Sequence, residues 1–298
     1  MAGIDAILVP LLSGLSEGVV LFLVASGLTL VLGVMRIANF AHGGYFMLGA
    51  YFAYTLLRGQ LVGVLPFVAA VLGAAALTGA AGYLSELLLF ERFYRMPRMQ
   101  MLLGTYALLL ILEGIAQQAW GLFPITQPEP MGFIAGLTVG GTQVPYYEFF
   151  LILVGLVAVV GLEYLLRRTA FGRQVRAVAE DRLMGSLLGI DVGRVYALML
   201  ALGVALAGLG GALTAPTVGL IPDIAVQFVI QAFAVVIIGG FGSVTGSLVA
   251  ALLVGVMTSF LVSFAPSVAS FSLYLLMALV LLLRPQGIMG RPWEEEER

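Results

Sequence analysis

The sequence predicts an all-α integral membrane protein, a polytopic bundle of about eight to ten spanning helices, and three observations carry that prediction. Of the 298 residues, 61% are hydrophobic and 10% are charged, too few charges to cover the surface of a soluble domain of this length. Apolar stretches of the roughly 20 residues that a spanning helix requires recur along the whole chain. There are 38 glycines, and in lipid such small residues let helix backbones approach closely. GLSEG (14–18) and GSVTG (242–246) have the small-xxx-small spacing of such contacts.

The first apolar stretch, 7–35, is read as a retained helix, because the first 35 residues hold no basic residue and so lack the positive region of a signal peptide. Further stretches run at 44–60, 61–90, 99–122, 148–166, 195–213, 228–264 and 266–283. All 14 basic residues are arginines. They gather at Arg92, Arg95 and Arg98, then at Arg167, Arg168, Arg173, Arg176, Arg182 and Arg194, and in the tail at Arg284, Arg291 and Arg298.

Short cytoplasmic loops carry such an excess, so these clusters are placed inside. The N-terminus then falls outside and the turn at Arg36 inside, with only Arg58 left outside. Segment 228–264 must be two helices if the tail is to return to the cytoplasm, with GGFGSVTGS (239–247) as the break; the total is about nine crossings. The stretch 121–147 has no basic residue and is rich in Pro, Gly and Thr, so an external loop with a hairpin over TVGGTQV (138–144) is expected. Residues 1–298 are expected to form one transmembrane domain, with 167–194 a cytoplasmic loop and 285–298 a cytoplasmic tail ending in the solvated EEEER.

Two regions share a plan. GLTLVLGVMRIANFAHGGYFMLGAY (27–51) and AFAVVIIGGFGSVTGSLVAALLVGV (232–256) each have an apolar helix, a glycine-bearing polar break and a small-residue helix. Paired broken helices in two halves of a transporter point to a solute path. In the first break, Asn39, Phe40, His42 and Gly43 either line a path or form a polar turn in which Asn39 caps the next helix. In the second, beside Gly240 and Gly242, the hydroxyls of Ser243, Thr245 and Ser247 either cap a helix or face a polar solute. Glu113 and Glu17 interrupt apolar runs, and an ionisable residue within a span faces the bundle interior or a cavity. Asp223 reads as an outer loop residue.

In RRTAFGRQVRAVAEDRLMGSLLGIDVGR (167–194), Val175, Ala179, Leu183 and Leu187 recur four residues apart, which predicts one amphipathic helix. With nothing of its own to cover, that helix is expected to dock in a partner's groove. With no cysteine and one histidine, disulfides and Cys- or His-rich metal sites are excluded. There is no P-loop, GxSxG or HExxH, so neither an enzyme nor a cofactor nor nucleic-acid binding is expected.

Over GLTLVLGVMRIANFAHGGYFMLGAY, GRQVRAVAEDRLMGSLLGIDVGRV (172–195), VIIGGFGSVTGSLVAALLVG (236–255) and LVLLLRPQGIMGRP (279–292), the chain resembles the LivH-type permease subunits of ABC importers for branched-chain amino acids. AEDRLMGSLLGI (179–190) is similar to that family's ATPase-coupling segment. The resemblance implies a type II-like importer fold with discontinuous helices in a prokaryotic inner membrane. It implies as partners a second, homologous permease subunit, two cytosolic ATP-binding subunits and a periplasmic or lipid-anchored substrate-binding protein. Ala179, Glu180, Asp181, Gly185 and Gly189 would be coupling residues, and the two breaks would lie near the solute path. Related permeases serve urea and short amides. The alternatives of another class are an ion-coupled carrier using Glu113 and a passive channel.

Overall fold

Helix α1 (Asp5–Met35) is the axis around which the rest is arranged. Its 31 residues reach about 46 Å at 1.5 Å per residue. It is apolar on every side, as a helix enclosed by other helices must be, and 89% of its most apolar stretch is buried. The structure, a computed structural model, describes residues 5–94, 96–139 and 141–290.

The chain continues through α2 (Ala41–Leu57) and α3 (Val64–Ser85), which runs through a π turn (Glu86–Phe90) into α4 (Glu91–Phe93). Next come α5 (Arg98–Trp120), the hairpin β1 (Gly136–Val139) and β2 (Thr142–Pro145), and α6 (Tyr146–Arg168). Two short helices follow, α7 (Ala170–Glu180) and α8 (Arg182–Leu187), then α9 (Val192–Thr214), α10 (Ile224–Gly239), α11 (Val244–Phe264), α12 (Pro266–Ala269) and α13 (Ser272–Leu283). Among the described residues, six helical stretches are long and apolar enough to cross a membrane: Ala6–Met35, Val64–Phe93, Met99–Trp120, Tyr146–Arg168, Val192–Thr214 and Val244–Phe264. The apolar α10 and α13 are shorter. The protein is a polytopic all-helical membrane bundle. Segment 228–264 divides where the sequence placed the break, because Gly240 and Gly242 take φ of +99° and +75°, which glycine adopts without strain.

Glycines set the distances between the inner helices. A β-carbon on Gly14 would lie 2.5 Å from the Val256 Cα, and one on Gly255 would lie 2.3 Å from the Gly14 carbonyl oxygen; α1 and α11 therefore touch backbone to backbone. The same holds for α1 and α9 at Gly27, where a β-carbon would meet the Gly203 oxygen at 2.1 Å, and for α2 and α9 at Gly49 and Gly208. GLSEG is thus a true crossing point. GSVTG is not: Gly246 faces Gly239 across the break, where a β-carbon would lie 2.1 Å from the Gly239 oxygen, so its small residues close a turn. The outer helices have the opposite character. Only 17% of the apolar stretch of α6 and 28% of those of α5 and α11 are buried, so α11 too turns most of its surface outward from the face that meets α1.

The two ends of the bundle are built differently. At one end the loop after α5 is tied down by backbone bonds, Ile125 pairing with Leu220 at 3.0 and 2.8 Å and the Met131 N–H donating to the Val62 oxygen at 2.9 Å. The Gln127 side chain adds a bond to the Gln60 oxygen at 3.1 Å. The hairpin spans 136–145, antiparallel, with Val139 opposite Thr142, and Asp223 is exposed at the N-cap position of α10, shortly after the Leu220 that pairs with Ile125. The other end gathers the arginine-bearing turns. The tail there is not loose: the Ile288 and Met289 N–H groups donate to Ile238 and Gly239 oxygens at 2.8 and 3.0 Å, so 286–290 folds back over the end of α10. The EEEER stretch, Arg95, Arg291 and Arg298 lie outside the described residues.

Gly14→Ala is expected to lower unfolding stability in detergent by about 1–3 kcal/mol, as overpacking does. Gly161→Ala on lipid-facing α6, where a β-carbon meets nothing within 4 Å, is expected to leave it unchanged or slightly raised. Helical circular dichroism during heating compares the two; equal stabilities would refute backbone contact at Gly14.

Candidate functional site

The end of α1, which leads into the first break, meets the second break because α1 and α11 run antiparallel. Thr29 on α1 bonds Ser247 on α11, oxygen to oxygen, at 2.6 Å. One turn further a β-carbon on Gly33 would lie 3.1 Å from the Gly242 Cα. Residues as far apart in sequence as Thr29 and Ser247, 218 positions, are therefore side by side at the arginine-bearing end.

At the first break, Arg36 closes α1 with φ +55°, a left-handed conformation that costs a non-glycine residue about 1–3 kcal/mol. Thr105 on α5 holds the crossing segment, its hydroxyl donating to the Ala38 oxygen at 3.1 Å and accepting from the Phe40 N–H at 3.2 Å. Asn39 does not cap α2. The N-cap position is Phe40, which makes no side-chain cap bond, and Asn39 is fully buried with neither amide atom partnered among the described residues. Phe40 packs on Phe233 of α10, ring centroids 4.9 Å apart, and edge-on to Tyr106 of α5. His42 is also fully buried. Its Nε2 lies 2.9 Å from the Val24 oxygen, and since a carbonyl only accepts, Nε2 carries the proton; Nδ1 has no partner among the described residues. Gly43 lets α2 touch α10, where a β-carbon would lie 2.1 Å from the Ala225 oxygen.

At the second break Ser243 does cap, accepting from the Gly246 N–H at 3.0 Å. Thr245 sits 3.4 Å from the Ser243 hydroxyl. Gly240 lies under the folded-back tail, where a β-carbon would be 2.3 Å from the Gly290 nitrogen. Asn39, Phe40, His42 and Gly43 are thus packed among α1, α5 and α10, whereas Gly242 lies against the end of α1 and Ser243 and Thr245 follow it at the start of α11, and Gly240 is covered by the chain itself.

The basic loop forms two helices, not the single amphipathic helix expected. Asp181 leaves the helical conformation, with φ −146° and ψ +108°, and caps α8 by accepting from the Leu183 and Met184 N–H groups at 2.8 and 3.0 Å. The expected apolar stripe divides with it. Val175 and Val178 of α7 are buried in the chain's own core, so α7 does have something of its own to cover. The exposed apolar group belongs to α8: Leu183, Met184, Leu187 and Leu188. Glu180 is exposed and Ala179 half-buried. Gly185 rests on Val178, and Gly189 turns the chain at φ +81°. Behind α8, Arg182 lies over the ring of Tyr196 at 5.4 Å. Tyr196 packs edge-on to Tyr94 at 5.4 Å, and Tyr94 O–H donates to Glu86. Burial, reinforced by the nearby Glu86 charge, pushes the Tyr94 phenol above its ordinary range, so it remains a donor. Glu86 escaped the sequence reading, although an acid in the apolar run LSELLLF is the same signal that drew attention to Glu113.

At the opposite end, α1, α6, α9, α10 and the adjoining loops border an open cavity of about 370 Å³. Glu17, Glu129, Glu148, Gln227 and Gln231 line it, with Ser13 donating to Glu148 at 2.9 Å. Glu17 therefore faces a cavity. Glu113 is half-buried on α5, its Oε1 shielded and without a partner among the described residues. No group of three or more acidic or histidine side chains arranged to hold a metal occurs among the described residues.

The family described as "Branched-chain amino acid transport system / permease component" matches residues 11–283. The chain belongs to this family. It is a transport component and not an enzyme. The high-affinity branched-chain amino acid transport system permease protein BraD of Pseudomonas aeruginosa is 31% identical over 296 residues, 96% of each chain. The corresponding LivH protein of Escherichia coli is 29% identical over 95% of this chain and 96% of its own. The LivM permease of the same organism is 28% identical over 89% of this chain and 67% of its own.

Asn39→Leu is expected to leave the permease as stable or raise its stability by up to about 1 kcal/mol, because an apolar side chain of similar shape removes two unpartnered polar atoms. Thermal unfolding measures it, and a loss above about 2 kcal/mol would mean that Asn39 has a hydrogen-bond partner in the folded protein.

Proposed function

We propose that this chain is a membrane-spanning permease of an ABC importer that moves branched-chain amino acids across a prokaryotic plasma membrane. The arginine-bearing end, with the tail, faces the cytoplasm, as the bias of short inner loops toward Arg requires. The observation that carries the reading is α8: four large apolar side chains exposed together on a capped helix, in the segment that resembles the coupling region of such permeases. Exposed apolar side chains on a short helix call for a groove in a partner, and two cytosolic ATP-binding subunits are that partner. Asp181 and Gly189 act by shaping α8, with Ala179, Glu180 and Gly185 around it.

A second, homologous permease completes the pore. That this chain resembles both the LivH and the LivM permease of one organism supports a pair built from two related chains. A substrate-binding protein delivers solute at the opposite end. The solute path passes the paired breaks, where Asn39, Phe40, His42, Gly43, Gly242, Ser243 and Thr245 lie and where backbone outside helices is tolerated only in protein or along a cavity. Gly240 serves the path indirectly, by seating the tail. ATP binding moves α8, and the helices beside the breaks tilt in response.

The test is uptake into proteoliposomes holding the complete complex, with leucine, isoleucine and valine competing against urea and acetamide. ATP-dependent uptake of the three amino acids supports the reading, and preference for urea or acetamide overturns the solute class. Leu187→Asp is expected to strip the ATP-binding subunits from the purified complex and to cut uptake at least about tenfold, as loss of a buried apolar anchor does; Glu180→Arg is expected to cut uptake with the protein still in the membrane. Glu113→Gln is expected to retain ATP-driven uptake, whereas a carrier coupled to protons through Glu113 would lose it.

A further inference from the structure

We propose that Arg182, Tyr196, Tyr94 and Glu86 form a mechanical link that carries displacement of α8 into the π turn after α3 and on to α2. The link rests on the reading that α8 docks the ATP-binding subunits. Arg182 is the first residue of α8 and is exposed, so any movement of that helix moves its guanidinium. The guanidinium lies 5.4 Å from the centre of the Tyr196 ring on α9, within reach of the attraction between a cation and an aromatic face. Tyr196 meets Tyr94 edge to face, centroids 5.4 Å apart at 67°, the arrangement two rings prefer. The Tyr94 hydroxyl ends on Glu86 Oε1.

Glu86 is where this contact chain meets a weak point in a spanning helix. It is only 3% exposed, and its Oε2 has no partner among the described residues. A carboxyl group so placed is held by Tyr94 alone among neutral donors, and burying it half-satisfied is costly. It opens the π turn Glu86–Phe90, a geometry that is rare and collects at functional positions. A π turn holds one residue more than the α-helical turns around it, so conversion to α-helix shifts everything beyond. The preceding residue, Ser85, accepts from the Tyr45 hydroxyl at 2.6 Å. Tyr45 stands one turn into α2, just past the first break. A pull on Arg182 thus ends at the helix that follows Asn39 and carries His42.

These four act as positioning residues, and the decisive quantity is leucine taken up per ATP hydrolysed by the complete complex in proteoliposomes. A purely structural defect lowers uptake and hydrolysis together and leaves that ratio alone. Tyr94→Phe removes one oxygen and keeps the ring; Arg182→Gln removes the charge at an exposed position. Each is expected to lower the ratio at least about threefold, within the range that residues along a coupled network produce. The double variant is expected to be no worse than the worse single one, because both break the same chain of contacts. An unchanged ratio in Tyr94→Phe, or losses that multiply in the double variant, would overturn the link. So would loss of the ATP-binding subunits from either variant, which would make the residue an assembly contact. The docking of α8 fails on a different observation, retention of those subunits by Leu187→Asp.

Discussion

Everything in this bundle depends on how closely α1 can be approached. Lipid tails are as apolar as leucine, so nothing squeezes spanning helices together as water would; association needs close van der Waals contact. Gly14, Gly18 and Gly27 provide it by leaving no side chain between α1 and the helices it meets, α11 and α9. α9 in turn receives α2 at Gly208 and Gly211. With α1 and α11 in antiparallel backbone contact, the end of one is held beside the start of the other, so the last turn before the first break lies against the second. The site is a consequence of the packing.

Much of this could be read from the residues. The apolar runs, the division at Gly240–Ser243, the hairpin after α5 and the grouping of arginines at one end all follow from patterns with a single physical cause each. What could not be read has causes too. The inner helices are apolar on all sides, so periodicity does not tell which face meets α1 and which meets lipid. A stripe with a spacing of four ran from Val175 to Leu187, yet Asp181 ends one helix and caps the next, because an aspartate side chain satisfies free N–H groups better from a cap than from mid-helix. The docking of 286–290 against Ile238 and Gly239 could not be read either, because it uses backbone bonds, which leave no mark on side-chain pattern.

The polar residues divide in the same way. Spacing drew attention to the first break, and the structure does bury Asn39 and His42 there. It also shows that Asn39 performs no capping, which spacing alone had left open. Glu129 and Glu148 join Glu17 around a cavity only because a loop, a helix start and α1 converge, an arrangement no local window contains. Glu86 is different: its signal was present, an acid in an apolar run, and its contacts depend on Tyr94 two turns on and on Tyr196 and Arg182 arriving from two other segments.

The pinned loop at the far end has a thermodynamic meaning of its own. Residues 125–131 are fastened to Gln60, Val62 and Leu220 by main-chain and amide bonds, and the hairpin that follows is a closed ladder. A protein arriving on that face meets a surface whose conformational entropy was already lost during folding. Little ordering of that loop remains to be done at the encounter, so less of the free energy of the new contacts is lost to fixing it. Such a surface can be small and polar, hold its visitor briefly, and still recognise it.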